Sequence, residues 1–161
     1  MPNKTIAGYF QQDHDKLDGF FTEYRKKKNI DFARAKESFK AFMFGLKRHI
    51  AWEENILFPV FEKKTGNVDS GLTGVMRSEH KDIKEILNRI HEKVRDKNTK
   101  TEAEETALLE VLGSHNQKEE HILYPMIDQL TSDTERENIF AQMEKVPEQN
   151  TESCCGMTFS E

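Results

Sequence analysis

Cysteine is scarce in this chain of 161 residues, and the two that occur, Cys154 and Cys155, are adjacent near the C-terminus. Neighbouring cysteines cannot tie distant loops together, which excludes a disulfide framework and suits a reducing compartment. Long apolar runs are missing as well. No stretch approaches the roughly 20 apolar residues of a membrane span, and the start, Met1-Pro2-Asn3-Lys4-Thr5-Ile6, lacks the core of a signal peptide. A soluble, cytoplasmic protein with no membrane partner is the expectation. No segment alternates apolar and polar residues over a useful length, so strands are not expected. The formal net charge is −5 and no basic face is interleaved with aromatics, which removes nucleic acid as a partner.

Helical periodicity fills the space those absences leave. Ile6, Phe10, His14, Leu17, Phe21 and Tyr24 recur at steps of three and four, and the stretch closes in Arg25-Lys26-Lys27-Lys28, a basic run that complements a helix C-terminus. Asp31 can cap a second helix carrying Ala35, Phe39, Phe42, Leu46, His49, Glu53, Ile56 and Val60 until Thr65-Gly66-Asn67 stops it. A third face reads Met76, His80, Ile83, Leu87, Ile90, Val94. A fourth helix, opened by Thr101 with Glu104 in capping-box position, carries Leu108, Leu112, His115, Glu119, Ile122 and Met126. A weaker helical stretch covers Asp133 to Lys145. The fold class is therefore all-α: an up-down-up-down four-helix bundle over residues 1–147 with a short C-terminal helix, followed by a flexible tail, 148–161, that contains Cys154-Cys155-Gly156.

The chain also repeats itself. His49-Ile-Ala-Trp-Glu53-Glu54-Asn-Ile56-Leu57-Phe58-Pro59 matches His115-Asn-Gln-Lys-Glu119-Glu120-His-Ile122-Leu123-Tyr124-Pro125 at 6 of 11 positions, at an offset of 66 residues. The lone histidines His14, in Asp13-His14-Asp15, and His80, in Glu79-His80-Lys81, are separated by the same 66 residues. The bundle should therefore have approximate internal two-fold symmetry. Pro59 and Pro125 mark where each repeated helix bends or remodels a turn.

Residues four apart on a helix point the same way, so His49 with Glu53, and His115 with Glu119, can offer a nitrogen and an oxygen to one ion. Glu54 and Glu120 lie off that face. A carboxylate on each of two helices can bridge two metals, each of which also takes one of these histidines and one lone histidine. The predicted metal ligands are His14, His49, Glu53, His80, His115 and Glu119. Imidazole with carboxylate suits iron, manganese or zinc and leaves coordination positions open for a small molecule. Unpaired charges at core positions would each cost several kcal/mol, which a metal offsets. His91 is about 16 Å along the helix from His80 at 1.5 Å per residue and reads as structural. His121, whose repeat mate is Asn55, reads as surface or support. The phenylalanines around Phe39, Phe42, Phe44, Phe58 and Phe61, with Trp52, read as core.

The order lone His, HxxxE, lone His, HxxxE, with both -EE-x-I-L-[FY]-P endings, resembles the hemerythrin-like, or HHE cation-binding, family of non-haem di-iron proteins over residues 5 to 130. The resemblance implies two iron ions, oxo- or hydroxo-bridged and preferred over manganese or zinc, on the six residues named. Oxygen-carrying members have a fifth histidine and a second bridging carboxylate where this chain has Lys84 and Glu120. The pattern is closer to the branch that includes iron-sulfur-cluster repair proteins and bacterial proteins proposed to handle nitric oxide or peroxide. The leading functional expectation is binding or sensing of O2, NO or peroxide. One alternative is NO or peroxide reduction, or iron donation to damaged clusters, with an electron donor as partner and the two cysteines taking part. A second is an iron-responsive regulatory or storage bundle.

Overall fold

In the computed structural model, which describes residues 4–67 and 71–147, the described residues form helices joined by short connections. Helix α1 spans Ile6–Lys27 and buries the six residues of its predicted stripe. The Thr5 side chain caps it, accepting from the Gly8 amide at 3.0 Å. Helix α2, Phe32–Trp52, begins where the Asp31 carboxylate accepts from the Arg34 amide at 3.3 Å. Helix α4 covers Leu72–Arg95 and α5 covers Glu102–Lys118.

Two π turns interrupt the repeated helices. Glu53–Leu57 joins α2 to α3 (Phe58–Thr65), and Glu119–Leu123 joins α5 to α6 (Tyr124–Leu130). In each, the amide of the aromatic residue, Phe58 or Tyr124, reaches back five residues to the carbonyl of the glutamate. The proline that follows explains why: its ring would collide with the carbonyl four residues earlier in a regular helix, and widening the turn moves that carbonyl aside. The remodelling therefore begins six residues before each proline.

The extra residue in the turn rotates the buried face. Ile122 and Met126, expected inside, are 46% and 38% exposed, while Leu123, Tyr124 and Ile127 are buried in their place. Thr101 precedes α5 but makes no side-chain cap. Its hydroxyl instead joins a buried cluster, 2.8 Å from the Tyr24 hydroxyl and 2.5 Å from Glu105 Oε2. Glu104 pairs with Lys93. The last helix, α7 (Asp133–Glu144), has a capping box of its own between Ser132 and Glu135.

Helices α1 and α2 form one hairpin and α4 and α5 a second, packed side by side, so the bundle is the expected up-down-up-down arrangement with a C-terminal helix added. Two apolar clusters fill it. One contains Phe21, Tyr24, Phe39, Phe42, Leu87 and Ile90. The other contains Phe10, Trp52, Phe58, Tyr124, Ile127 and Ile139. Between them lies a polar layer that apolar packing alone cannot explain. No helix among the described residues is long and apolar enough to cross a membrane.

Candidate metal centre

The polar layer consists of the six predicted residues. His14, His49, His80 and His115 are at most 5% exposed, and Glu53 and Glu119 are fully buried. The stripe positions of four different helices bring them together, since the step of four places each glutamate beside its own histidine. The histidines meet in pairs, one per hairpin: His14 Nε2 is 3.1 Å from His49 Nε2, and His80 Nε2 is 3.1 Å from His115 Nε2.

The glutamates span both pairs. Glu119 presents Oε1 to His14 at 3.3 Å and Oε2 to His115 at 3.2 Å. Glu53 Oε1 is 3.2 Å from His80 Nε2 and 3.6 Å from His49 Nε2. Each glutamate thus reaches across to the other hairpin. Two groups, Glu53 with His80, His115 and Glu119, and His14 with His49 and Glu119, hold their donor atoms close enough to share an ion.

The outer ring nitrogens are fixed by a second ring of carboxylates. Nδ1 of His49 donates to Asp13 at 2.8 Å, and Nδ1 of His115 donates to Glu79 at 2.9 Å. Nδ1 of His80 donates to Glu54 at 2.7 Å, and Nδ1 of His14 donates to Glu120 at 2.9 Å. Every Nδ1 directs its proton outward, so every Nε2 faces inward as the nitrogen an ion would take, which is how metal-binding histidines are oriented. The sequence reading missed these four supports. Their signal was present in the Asp13-His14 and Glu79-His80 doublets and in the two Glu-Glu doublets, all repeating with the ligands. Glu54 and Glu120 do lie off the ligand face, as expected, but they serve a histidine of the opposite hairpin.

Burial and charge compete throughout this layer. Burial opposes charge on His14, yet the Glu119 and Glu120 carboxylates outweigh it and raise the imidazole to about 9. His80 behaves likewise beside Glu53 and Glu54, and also rises to about 9. Burial and the facing Glu119 charge push Glu53 up. Glu119, although buried, is held below the usual carboxylate range by the Glu53 hydrogen bond and by His115 and His14. Even so, Glu53 Oε1 and Glu119 Oε2 accept no hydrogen bond. Two orphaned, buried carboxylate oxygens facing four imidazoles fit cations, which would satisfy both and displace the protons.

One side of the layer opens on an apolar cavity walled by Leu17, Phe42, Leu46, Ile50, Ile83 and Leu112. Its free volume is about 10 Å³, close to the space one water-sized molecule requires. A wider cleft of about 290 Å³ between α1 and α5 shares Asp18, Phe42, Leu112 and Asn116 with that cavity, so these side chains stand between the centre and the cleft. Gly113 sits in the cleft wall, where an added Cβ would meet nothing within 4 Å. The opposite side is closed by aromatic rings, Phe10 at 5.1 Å from His49 and Phe58 stacked on His80 at 5.6 Å.

The remaining histidines lie apart. His91 is buried, and burial together with Lys47, Arg95 and Lys36 lowers it to about 4. His121 is exposed. The tail with Cys154 and Cys155 falls outside the described residues.

Four histidines and two glutamates in the middle of a helical bundle define a class of metal-binding bundle proteins. The family model described as the hemerythrin HHE cation binding domain matches residues 5–127, and the chain belongs to that family. An uncharacterised hemerythrin-like protein of Schizosaccharomyces pombe is 27% identical over 141 residues, covering 87% of this chain and 68% of that protein. No solved structure matches the chain.

Proposed function

We propose that this protein is a non-haem di-iron protein that binds or senses a small ligand, O2, NO or peroxide, at the His/Glu layer. The observation that carries the reading is the pairing of imidazoles, His14 with His49 and His80 with His115, around two fully buried glutamates that span both pairs. One pair with one carboxylate would suit a single structural ion. Two pairs sharing two carboxylates suit two ions side by side. Iron is favoured over zinc by the resemblance to non-haem di-iron proteins, since imidazole and carboxylate donors suit either ion.

The cavity supports the ligand class. Its walls are largely apolar, and its free volume of about 10 Å³, close to that of one water-sized molecule, excludes an organic substrate and suits only the smallest ligands. The same size argues against storage as a mineral. When bound, the irons would supply the electrons and open positions that such ligands need. The chain's own residues orient the imidazoles through Asp13, Glu54, Glu79 and Glu120 and exclude bulk water with aromatic rings. Turnover of NO or peroxide by an external electron donor is the alternative use of the same site.

Metal content per chain after anaerobic purification, followed by absorption spectra before and after air, tests the proposal. About two irons with a new near-ultraviolet or visible band is the expected result. A single zinc with no spectral change would overturn it.

A further inference from the structure

The internal repeat is broken at the centre itself. Phe58 and Tyr124 are repeat mates, 66 residues apart, each following its π turn. Phe58 lies flat against His80, with the ring planes within 9°. Tyr124 is fully buried and adds an oxygen atom where its mate has none. That oxygen is 2.7 Å from Glu53 Oε2, 3.0 Å from Glu119 Oε1, 3.3 Å from His49 Nε2 and 3.4 Å from His14 Nε2. These four atoms belong to the residues that would hold an ion in the His14/His49 half.

Bond lengths decide what such an oxygen can do there. Imidazole nitrogens and carboxylate oxygens stand about 2.0–2.2 Å from a bound divalent ion, so neighbouring ligands at right angles on one ion are about 3.0 Å apart. The Tyr124 oxygen has that spacing to all four donors at once. An ion held by those donors would leave no room for a hydroxyl that is close but not bonded. The oxygen must bind the ion or the ring must leave its place, and the ring is packed against Phe10 at 5.0 Å inside the second apolar cluster.

We propose that Tyr124 is a metal ligand, bound through its phenolate oxygen to the ion on His14 and His49, and that the two metal positions are therefore chemically different. The step is a ligand exchange without electron transfer. The O–H bond breaks, an oxygen–metal bond forms, and the proton leaves to solvent with the others that metal binding displaces. The His80/His115 ion has phenylalanine in the equivalent place and so lacks this oxygen ligand.

This inference rests on the di-iron reading, and the experiment separates the two. Wild-type protein and Tyr124→Phe are loaded with ferrous iron, oxidised in air, and compared by iron content, visible absorption and resonance Raman scattering. The expected result is a broad visible band in the wild type, from phenolate-to-ferric charge transfer, whose Raman spectrum contains tyrosine ring modes and which is absent from Tyr124→Phe. Ring-deuterated tyrosine should shift those modes in the wild type, which keeps the test valid if the variant folds poorly. Two irons per chain with no tyrosine modes would overturn Tyr124 as a ligand and leave the di-iron reading intact. Absence of iron from the wild type would overturn both.

Discussion

The carboxylate of Asp13 on α1 accepts a hydrogen bond from Nδ1 of His49 on α2 at 2.8 Å. The contact fixes both the tautomer and the ring orientation of a candidate ligand, and removing such a partner typically costs a metal site about 10–100-fold in affinity. Asp13→Ala should lower iron affinity by that amount, measured by chelator competition, while helicity is unchanged. His121→Ala, at an exposed position, should leave affinity within about twofold. Equal losses in the two variants would mean that the outer carboxylates do not act on the centre.

Stability of the metal-free protein should depend on pH. His14 and His80, raised to about 9 from an unfolded value of about 6.5, contribute stability that is fully present below the unfolded value and lost as pH rises through about 9. Glu54 and Glu79 are held below the usual range chiefly because His80, for the former, and Lys118, for the latter, outweigh burial. Their contribution is present above the ordinary carboxylate value and is lost as pH falls through the depressed one. Between pH 6.5 and 9, the Tm of the metal-free protein should therefore fall, by about 4–8 °C for a loss on the order of 2 kcal/mol. Metal-loaded protein, whose inner protons have been displaced, should show a much smaller change in differential scanning calorimetry. A flat profile for the metal-free form would contradict the protonated-histidine description.

Substitutions at two glycines should separate access from packing. A Cβ at Gly45 would come within 2.6 Å of Leu17 Cδ2, so Gly45→Ala should destabilise the bundle by about 1–3 kcal/mol in urea unfolding. Gly113→Trp faces open space in the α1/α5 cleft. It should leave stability within about 1 kcal/mol while slowing chelator removal of iron several-fold in stopped-flow measurements. Unchanged release kinetics would place the route elsewhere.

Lys28 and Glu105 form a buried ion pair at the far end of the bundle, 2.5 Å apart and each 5% exposed. Removing one partner of such a pair strands the other. Lys28→Ala should cost about 3 kcal/mol in urea unfolding, near the lower end for such pairs because Arg25 still contacts Glu105 at 3.0 Å. Iron stoichiometry should not change, since Tyr24, which borders this cluster, is three helical turns from His14.

Helix number and the inward face of α1 were legible because apolar side chains recur there with an unbroken period. The six inner residues were legible because repetition supplied a second instance of each. Beyond Glu119 the period reading failed, and Ile122 and Met126 turned outward. A π turn adds a residue that no apolar periodicity announces, and Pro125 revealed a disturbance without its position. Thr101 was misread for a different reason: the capping signature describes local partners, whereas a buried tertiary cluster with Tyr24 and Glu105 competed for its hydroxyl. Tyr124 looked like one more conservative aromatic beside Phe58, because its oxygen gains meaning only when four helices surround it.

Glu53 reaches His80, Glu119 reaches His14, and the neighbouring Glu54 and Glu120 cross in the same directions. Each hairpin lends its carboxylates to the other's histidines. A half-molecule of either kind would hold two imidazoles and keep only part of the surrounding shell, so the smallest competent unit is two hairpins, whether carried on one polypeptide or supplied as complementing fragments. Iron would then act as the fastener between fragments, and reassembly in solution would be metal-dependent.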